Sequence, residues 1–386
     1  MEFQFNEMQE MIRSTAHQLC EGIIAGRVDE IEETKMVPDD IFHAIADTGL
    51  LGAALPEAYG GVDCGHVAIA AAMEEFGKVS AAVGASVLVS ITFLETIKNY
   101  GTEEQKQTYI PDGIAGKFRG SFAFTEPNTG SDPRQIETTA TEDGDYFILN
   151  GVKRFITNAS YEGPIIIWAR EAGTEKDITA FILDKFCEGY SLSSPWDLVC
   201  LKGSPVYDIF LDNVRVHKSR ILGKRGEGFP ILEGTVAHSK TMIVASNVGG
   251  MLDSYERAVQ YAREKKHRGV TIGKFQSIQL AVAKIAARVE AARMLVYRLA
   301  EESDDRSDLD HLKAWVGMVK AYVAEEAEQV SIACLHVMGP YGLAEEYKIE
   351  RNVRDALLGP NVEGVADMQR VIAGARIMFS DDALIL

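Results

Sequence analysis

Two stretches decide how this chain is read: Phe122-Ala123-Phe124-Thr125-Glu126-Pro127-Asn128-Thr129-Gly130-Ser131-Asp132 and, further on, Phe155-Ile156-Thr157-Asn158. The first sets turn formers and small hydroxyl residues between apolar flanks. Such a segment offers backbone N–H groups and hydroxyls to an anionic or carbonyl-rich ligand. Between the two stretches runs Tyr146-Phe147-Ile148-Leu149, then Asn150-Gly151, then a second apolar stretch to Ile156. That spacing predicts a β-hairpin turning at Asn150-Gly151.

Strand-like runs continue on the C-terminal side, at Ile165-Ile166-Ile167-Trp168 and Ile178-Thr179-Ala180-Phe181-Ile182-Leu183, rich in β-branched and aromatic residues. The block from about Gly120 to Val216 is therefore a β domain. Upstream the period is helical. Pro38-Asp39-Asp40 opens a segment with Ile41, Ile45 and Leu50 at near-helical spacing and Gly49 near its end. Pro56, Gly60 and Gly61 mark a turn, Gly101 stops a helix, and Thr102 with Gln105 makes a capping box for the next. After Gly226-Glu227-Gly228-Phe229 the helical pattern returns, with bundle-length segments near 228–265, 274–302, 308–338 and 364–379. Met251, Leu252, Tyr255 and Val259 form a core stripe, and Glu301-Glu302-Ser303-Asp304-Asp305 reads as an exposed connection. The expected class is α+β in three parts: 1–117 helical, 118–225 β, 226–386 a helical bundle.

The 386 residues exceed one usual core, and 46% hydrophobic with 25% charged residues describes an ordinary globular protein. A net charge of −18 argues against nucleic acid or an anionic membrane as partner. No apolar run is expected to span a bilayer, and the acidic start Met1-Glu2-Phe3-Gln4-Phe5-Asn6-Glu7 resembles no secretory signal. Cys20, Cys64, Cys187, Cys200 and Cys334 are scattered without a C-x-x-C pair, which fits a reducing cytoplasm and no metal site. No G-x-G-x-x-G or Walker A sequence is present.

The order of six segments resembles the acyl-CoA dehydrogenase family over nearly the whole chain. They are Pro56-Glu57-Ala58-Tyr59-Gly60-Gly61, Tyr100-Gly101-Thr102-Glu103-Glu104-Gln105-Lys106, the T-E-P-x-x-G-S-D stretch, Asn150 to Asn158, Arg351-Asn352-Val353-Arg354-Asp355-Ala356, and Glu363-Gly364. The resemblance implies a helical domain, a middle β-barrel or sandwich domain, and a C-terminal four-helix bundle. It implies FAD as cofactor and a reaction that removes an α proton and a β hydride from an acyl thioester. A positioned carboxylate is needed to take a proton so weakly acidic. The matching base is Glu363. The family's other base position, on an earlier bundle helix, corresponds here to Ser239, followed by Lys240 where an Arg is usual.

By the same resemblance Phe122, Thr125, Gly130 and Ser131 lie along flavin or thioester, and Phe155, Ile156 and Thr157 beside the isoalloxazine ring. Ser131, Lys240, Val362 and Gly364 are assigned to the substrate. The thioester carbonyl would be polarised by the Glu363 N–H and a flavin hydroxyl. Lys265, Arg268, Gln276 and His336 occupy the positions that grip the flavin of a neighbouring subunit in a homotetramer, a dimer of dimers. Several of these depart from the family: Lys265 stands for Arg, Arg268 for an aromatic residue, His336 for Gln, Pro340 for Gly and Val365 for Thr. Lysine lacks the planar fork of arginine, and proline has no N–H, so FAD binding is expected to be altered.

The implied partners are an acyl-CoA substrate and an electron-transfer flavoprotein. Leu198-Val199-Cys200-Leu201-Lys202-Gly203-Ser204-Pro205 is similar to relatives acting on carrier-protein-bound acyl groups, which makes those an alternative, as is an enoyl-thioester reductase. A flavin-free scaffold subunit is the non-enzyme alternative. His238 and Lys240 read equally well as substrate-end or solvated residues. Arg351, Arg354 and Asp355 read as a structural ion-pair network, and Cys200 as an inert apolar residue.

Overall fold

The computed structural model describes residues 4–174, 177–304 and 309–379. Six helices open the chain: α1 (Glu7–Leu19), α2 (Val28–Thr34), α3 (Asp39–Asp47), α4 (Gly65–Val79), α5 (Ala81–Tyr100) and α6 (Glu103–Ile114). Their starts follow local chemistry. Asn6 with Gln9 caps α1, and Thr102 with Gln105 caps α6, each as a reciprocal capping box. Helices α4 and α5 are apolar almost all round because they are enclosed almost all round. The expectation of no membrane-length apolar run needs correction here. Ala81–Tyr100 is long and apolar enough to cross a bilayer, but 83% of that window is buried inside the protein.

The middle of the chain is one eight-stranded sheet: β1 (Ser121–Ala123), β2 (Thr139–Asp143), β3 (Tyr146–Thr157), β4 (Pro164–Glu171), β5 (Ile178–Asp184), β6 (Tyr190–Leu192), β7 (Val206–His217) and β8 (Ile221–Leu222). Its order is β6-β7-β3-β2-β4-β5-β8, with β1 on β4. The predicted hairpin at Asn150-Gly151 is absent: β3 runs unbroken through it. Asn150 instead faces a bulge in β7: between the Leu149–Val214 and Gly151–Leu211 pairs it opposes both Asp212 and Asn213, and Asn213 has φ 53°. Asn150 and Asn213 bond across the bulge, and a Cβ on Gly151 would strike Thr138. The tight turn lies earlier, at Gly144, which has φ 60°. Alternate residues of β4 serve two cores. Ile165 and Ile167 join the β-domain core, while Ile166 and Trp168 join the helical one.

The bundle is α7 (Gly228–Glu264), a short ribbon of β9 (Lys266–His267) and β10 (Val270–Thr271), α8 (Gln276–Asp304), α9 (Leu309–Met338), α10 (Ile349–Ala356) and α11 (Ala366–Phe379). Glu301–Asp304 is the last turn of α8 and not a connection, with Glu301 and Asp304 exposed as expected and Ser303 fully buried; Asp305 lies outside the described residues. Asp304 reaches the buried ring of His66 from this turn. The His66 Nδ1 lies 2.6 Å from Asp304, its Nε2 3.1 Å from Glu95, and its ring stacks on His238. This buried cluster ties α4, α5 and α7 to the end of α8.

Candidate active site

A cavity of about 660 Å³ opens between the sheet, α4 and α5, and the bundle. Its sheet wall follows from an unusual edge. Strands β1 and β2 both pair in parallel with β4, one after the other, at Ile165–Ile167 and Arg170–Glu171. The chain between them, 124–138, therefore has to leave the sheet and come back to the same edge.

Glu126 holds that excursion. Its backbone pairs with Thr129, and its carboxylate accepts the N–H groups of Glu137 and Thr138 and the ammonium of Lys153 at 2.6 Å. Lys153 is fully buried and donates also to the Trp168 carbonyl. Burial pushes its ammonium down to about 8, opposed by Glu126. The Arg154 N–H reaches the Thr125 carbonyl at 2.8 Å. A second slip in the β3–β7 pairing, between Lys153 and Ile156, accompanies the left-handed φ of 59° at Phe155. Asn158 then anchors the end of β3 to α5. Its amide donates to the carbonyls of Ser86 and Gly120, and the Ser86 hydroxyl donates back to it.

Phe122, Thr125, Gly130, Ser131, Phe155, Ile156 and Thr157 all line the cavity. The hydroxyls of Thr125, Ser131 and Thr157 have no hydrogen-bond partner among the described residues. A Cβ on Gly130 would meet nothing within 4 Å. This wall is a row of open donors over flat apolar rings, which suits an aromatic ring system bearing heteroatoms.

The opposite wall carries Val362, Glu363, Gly364 and Val365. Glu363 and Gly364 are consecutive left-handed residues, with φ 54° and 85°, a conformation glycine adopts freely and glutamate rarely. The Glu363 carboxylate accepts from the Ser239 hydroxyl at 2.8 Å. The residue at the family's other base position thus supports the carboxylate at the first. Lys320, with no exposure, donates to the Gly364 carbonyl. Lys240 does not line the cavity. It is buried on α7, and burial pulls its ammonium below the usual lysine range while Glu363 and Glu233 oppose that shift.

The part of the cavity that α4 and α5 line was not marked as a site by the sequence. Met73, Gly84, Leu88 and Val89 bring small and aliphatic surface from α4 and α5, and Leu198 to Leu201 close the opposite side. Asp355 also lines it and accepts the Leu201 N–H at 2.7 Å; burial raises its carboxyl to about 6. Arg354 pairs away from it, with Glu32 and Glu350. Cys200 is a buried free cysteine. The signal for Lys320 was a lysine on an apolar stripe, between Val316, Val319 and Val323 of α9.

Lys265, Arg268, Gln276 and His336 lie outside the cavity. The Lys265 ammonium sits 4.1 Å from the centre of the Tyr341 ring, Arg268 turns the β9–β10 ribbon with φ 49°, Gln276 opens α8, and His336 is exposed in the last turn of α9.

Three family models match the chain in order: the acyl-CoA dehydrogenase N-terminal domain over 6–117, middle domain over 121–214 and C-terminal domain over 226–378. The chain belongs to the acyl-CoA dehydrogenase family. It is similar to the 3-(aryl)acrylate reductase of Clostridium sporogenes, 36% identical over 97% of this chain and 99% of that protein. It is 32% identical to the caffeyl-CoA reductase–Etf complex subunit CarC of Acetobacterium woodii, over 97% of this chain and 99% of that one. Butyryl-CoA dehydrogenase from Megasphaera elsdenii superposes with a TM-score of 0.94 at 28% identity, covering 98% and 100% of the two chains. As an acyl-CoA dehydrogenase family member, the chain is an FAD-dependent oxidoreductase of acyl thioesters.

Proposed function

We propose that this protein moves two hydrogens across the Cα–Cβ bond of an acyl thioester, with Glu363 as the α-proton base. The observation that carries this is the placing of the Glu363 carboxylate across one cavity from the Thr125–Ser131 and Phe155–Thr157 wall. Thr125, Ser131 and Thr157 would hold FAD through their free hydroxyls, with Phe155 and Ile156 against its ring. FAD, when bound, supplies a two-electron acceptor for the β hydride. The protein does the rest. Glu363 takes the α proton, Ser239 fixes the carboxylate by its hydrogen bond, and the Glu363 N–H polarises the thioester carbonyl. The apolar side of α4 and α5 excludes water from the acyl chain. Val362 and Gly364 flank the substrate, and Lys240 acts beside Glu363 without touching it.

The reverse direction, reduction of an enoyl thioester, is the second reading. It is favoured by relatives whose names are 3-(aryl)acrylate reductase and caffeyl-CoA reductase. Glu363 would then return the proton to Cα. An electron-transfer flavoprotein exchanges electrons with the chain in either direction. The working form is a homotetramer in a reducing cytoplasm, with Lys265, Arg268, Gln276 and His336 turned toward a neighbouring subunit's flavin. The thioester is carried by CoA, with a carrier protein as the alternative.

The visible spectrum of the purified protein tests the proposal, followed by anaerobic addition of butyryl-CoA and 3-phenylpropanoyl-CoA. Flavin bands near one per chain that bleach on addition are expected. Photoreduced protein that is reoxidised by an arylacryloyl-CoA, but not bleached by the saturated thioester, would assign the reductive direction. A colourless protein that takes up no added FAD would leave only the scaffold reading.

A further inference from the structure

The turn bearing Glu363 joins α10, which ends at Ala356, to α11, which begins at Ala366, and its backbone is closed by the Val362 N–H on the Leu358 carbonyl and the Ala366 N–H on the Pro360 carbonyl. Two successive left-handed residues in such a segment persist only when the surroundings impose them. One side-chain contact comes from the side, the Ser239 hydroxyl on the carboxylate. Another comes from beneath. Lys320, in the middle of α9, donates to the Gly364 carbonyl, the peptide just after Glu363.

Lys320 is a costly residue to place there. Its side chain has no solvent exposure, it stands on the stripe of Val316, Val319 and Val323, and Gly364 is its one hydrogen-bond partner among the described residues. An ammonium has three donors, so two go unused in a buried site. A purely structural stripe would carry an aliphatic side chain at this position. The charges facing Lys320 are Glu363 from the turn and Lys240 from α7; Lys240 itself faces Glu233 on α7 and Lys313 on α9.

We propose that Lys320 is a positioning residue for the base: it pins the left-handed turn through the Gly364 carbonyl and so holds the Glu363 carboxylate where it can take the α proton. This rests on the reading of Glu363 as base.

The test is exchange of the α hydrogens of butyryl-CoA or 3-phenylpropanoyl-CoA with D2O, using whichever bleaches the wild-type holoenzyme. Exchange reports the base without requiring turnover. Lys320→Met loses the donor for Gly364, and its plateau exchange rate is expected to fall about tenfold or more, with KM and flavin content nearly unchanged. Lys320→Gln and Lys320→Arg each keep a donor for Gly364 and should return the rate toward its wild-type level. A Lys320→Met variant that exchanges at the wild-type rate overturns the proposal. So does insolubility or loss of flavin in all three variants, which would assign Lys320 to the fold alone. Exchange by Glu363→Gln at the wild-type rate would instead sink the base reading first, and this proposal with it.

Discussion

On the sheet side of the cavity, the flavin-facing segment is fixed by residues near it in the chain or beside it in the sheet. Glu126 accepts from Glu137 and Thr138, 11 and 12 residues away, and from Lys153, 27 away. On the bundle side, Glu363 depends on Ser239, 124 residues distant, and its neighbour Gly364 on Lys320, 44 distant. One wall forms when the β domain folds. The other exists only once α7, α9 and the α10–α11 connection have packed together. Cofactor holding and proton abstraction therefore sit on separately stabilised halves, and lesions in one should spare the other.

The hardest blow to the sheet wall is Lys153→Met. It leaves Glu126 buried without its cation, and breaking a pair of this kind costs about 3–5 kcal/mol. Denaturant unfolding should record that loss, and flavin should be lost with it. A variant that keeps full stability and flavin would dissolve the distinction between the walls. On the bundle wall, Ser239→Ala removes one hydrogen bond to a charged group, worth about 1.5 kcal/mol. Substrate-dependent bleaching should slow about tenfold while flavin content stays at the wild-type level. Equal loss of flavin in both variants would show that the halves are not separable.

The smallest effect concerns the cluster that joins the helical layers. Burial alone would push the His66 imidazole down, but the Glu95 and Asp304 carboxylates outweigh it and raise it from 6.5 to about 9. The folded value is above the unfolded one, so this contribution is complete below about 6.5 and lost as pH rises through about 9. Wild-type Tm should fall across that window by about 2–4 °C more than Tm of His66→Gln, which lacks the group. Parallel curves would remove His66 from the account.

The same contrast explains what the sequence could disclose. Thr102 and Gln105 make their capping box as read, because a cap is a four-residue matter. The segments 122–131 and 155–157 share the cavity because neighbouring strands bring them there. Asn150-Gly151 carries a turn signature, yet its strand continues, because the irregularity falls on β7, whose extra residue at Asn213 bonds to Asn150. Glu301–Asp304 reads as a connection, yet it ends a helix, and the partner of Asp304 is His66, 238 residues away. Lys320 is legible only as an oddity on an apolar stripe; its partner in the turn belongs to tertiary packing. Local chemistry was readable, and distant pairing was not.

The most direct test of the account is anaerobic titration of Glu363→Gln beside wild type, using an acyl-CoA that bleaches the wild-type flavin. The variant is expected to keep a wild-type flavin spectrum and to bleach at least ~10²-fold more slowly, the lower end of what a positioned general base contributes. A variant that bleaches at the wild-type rate would contradict the assignment of Glu363 as the base. A variant that loses its flavin would contradict the separation of the two walls.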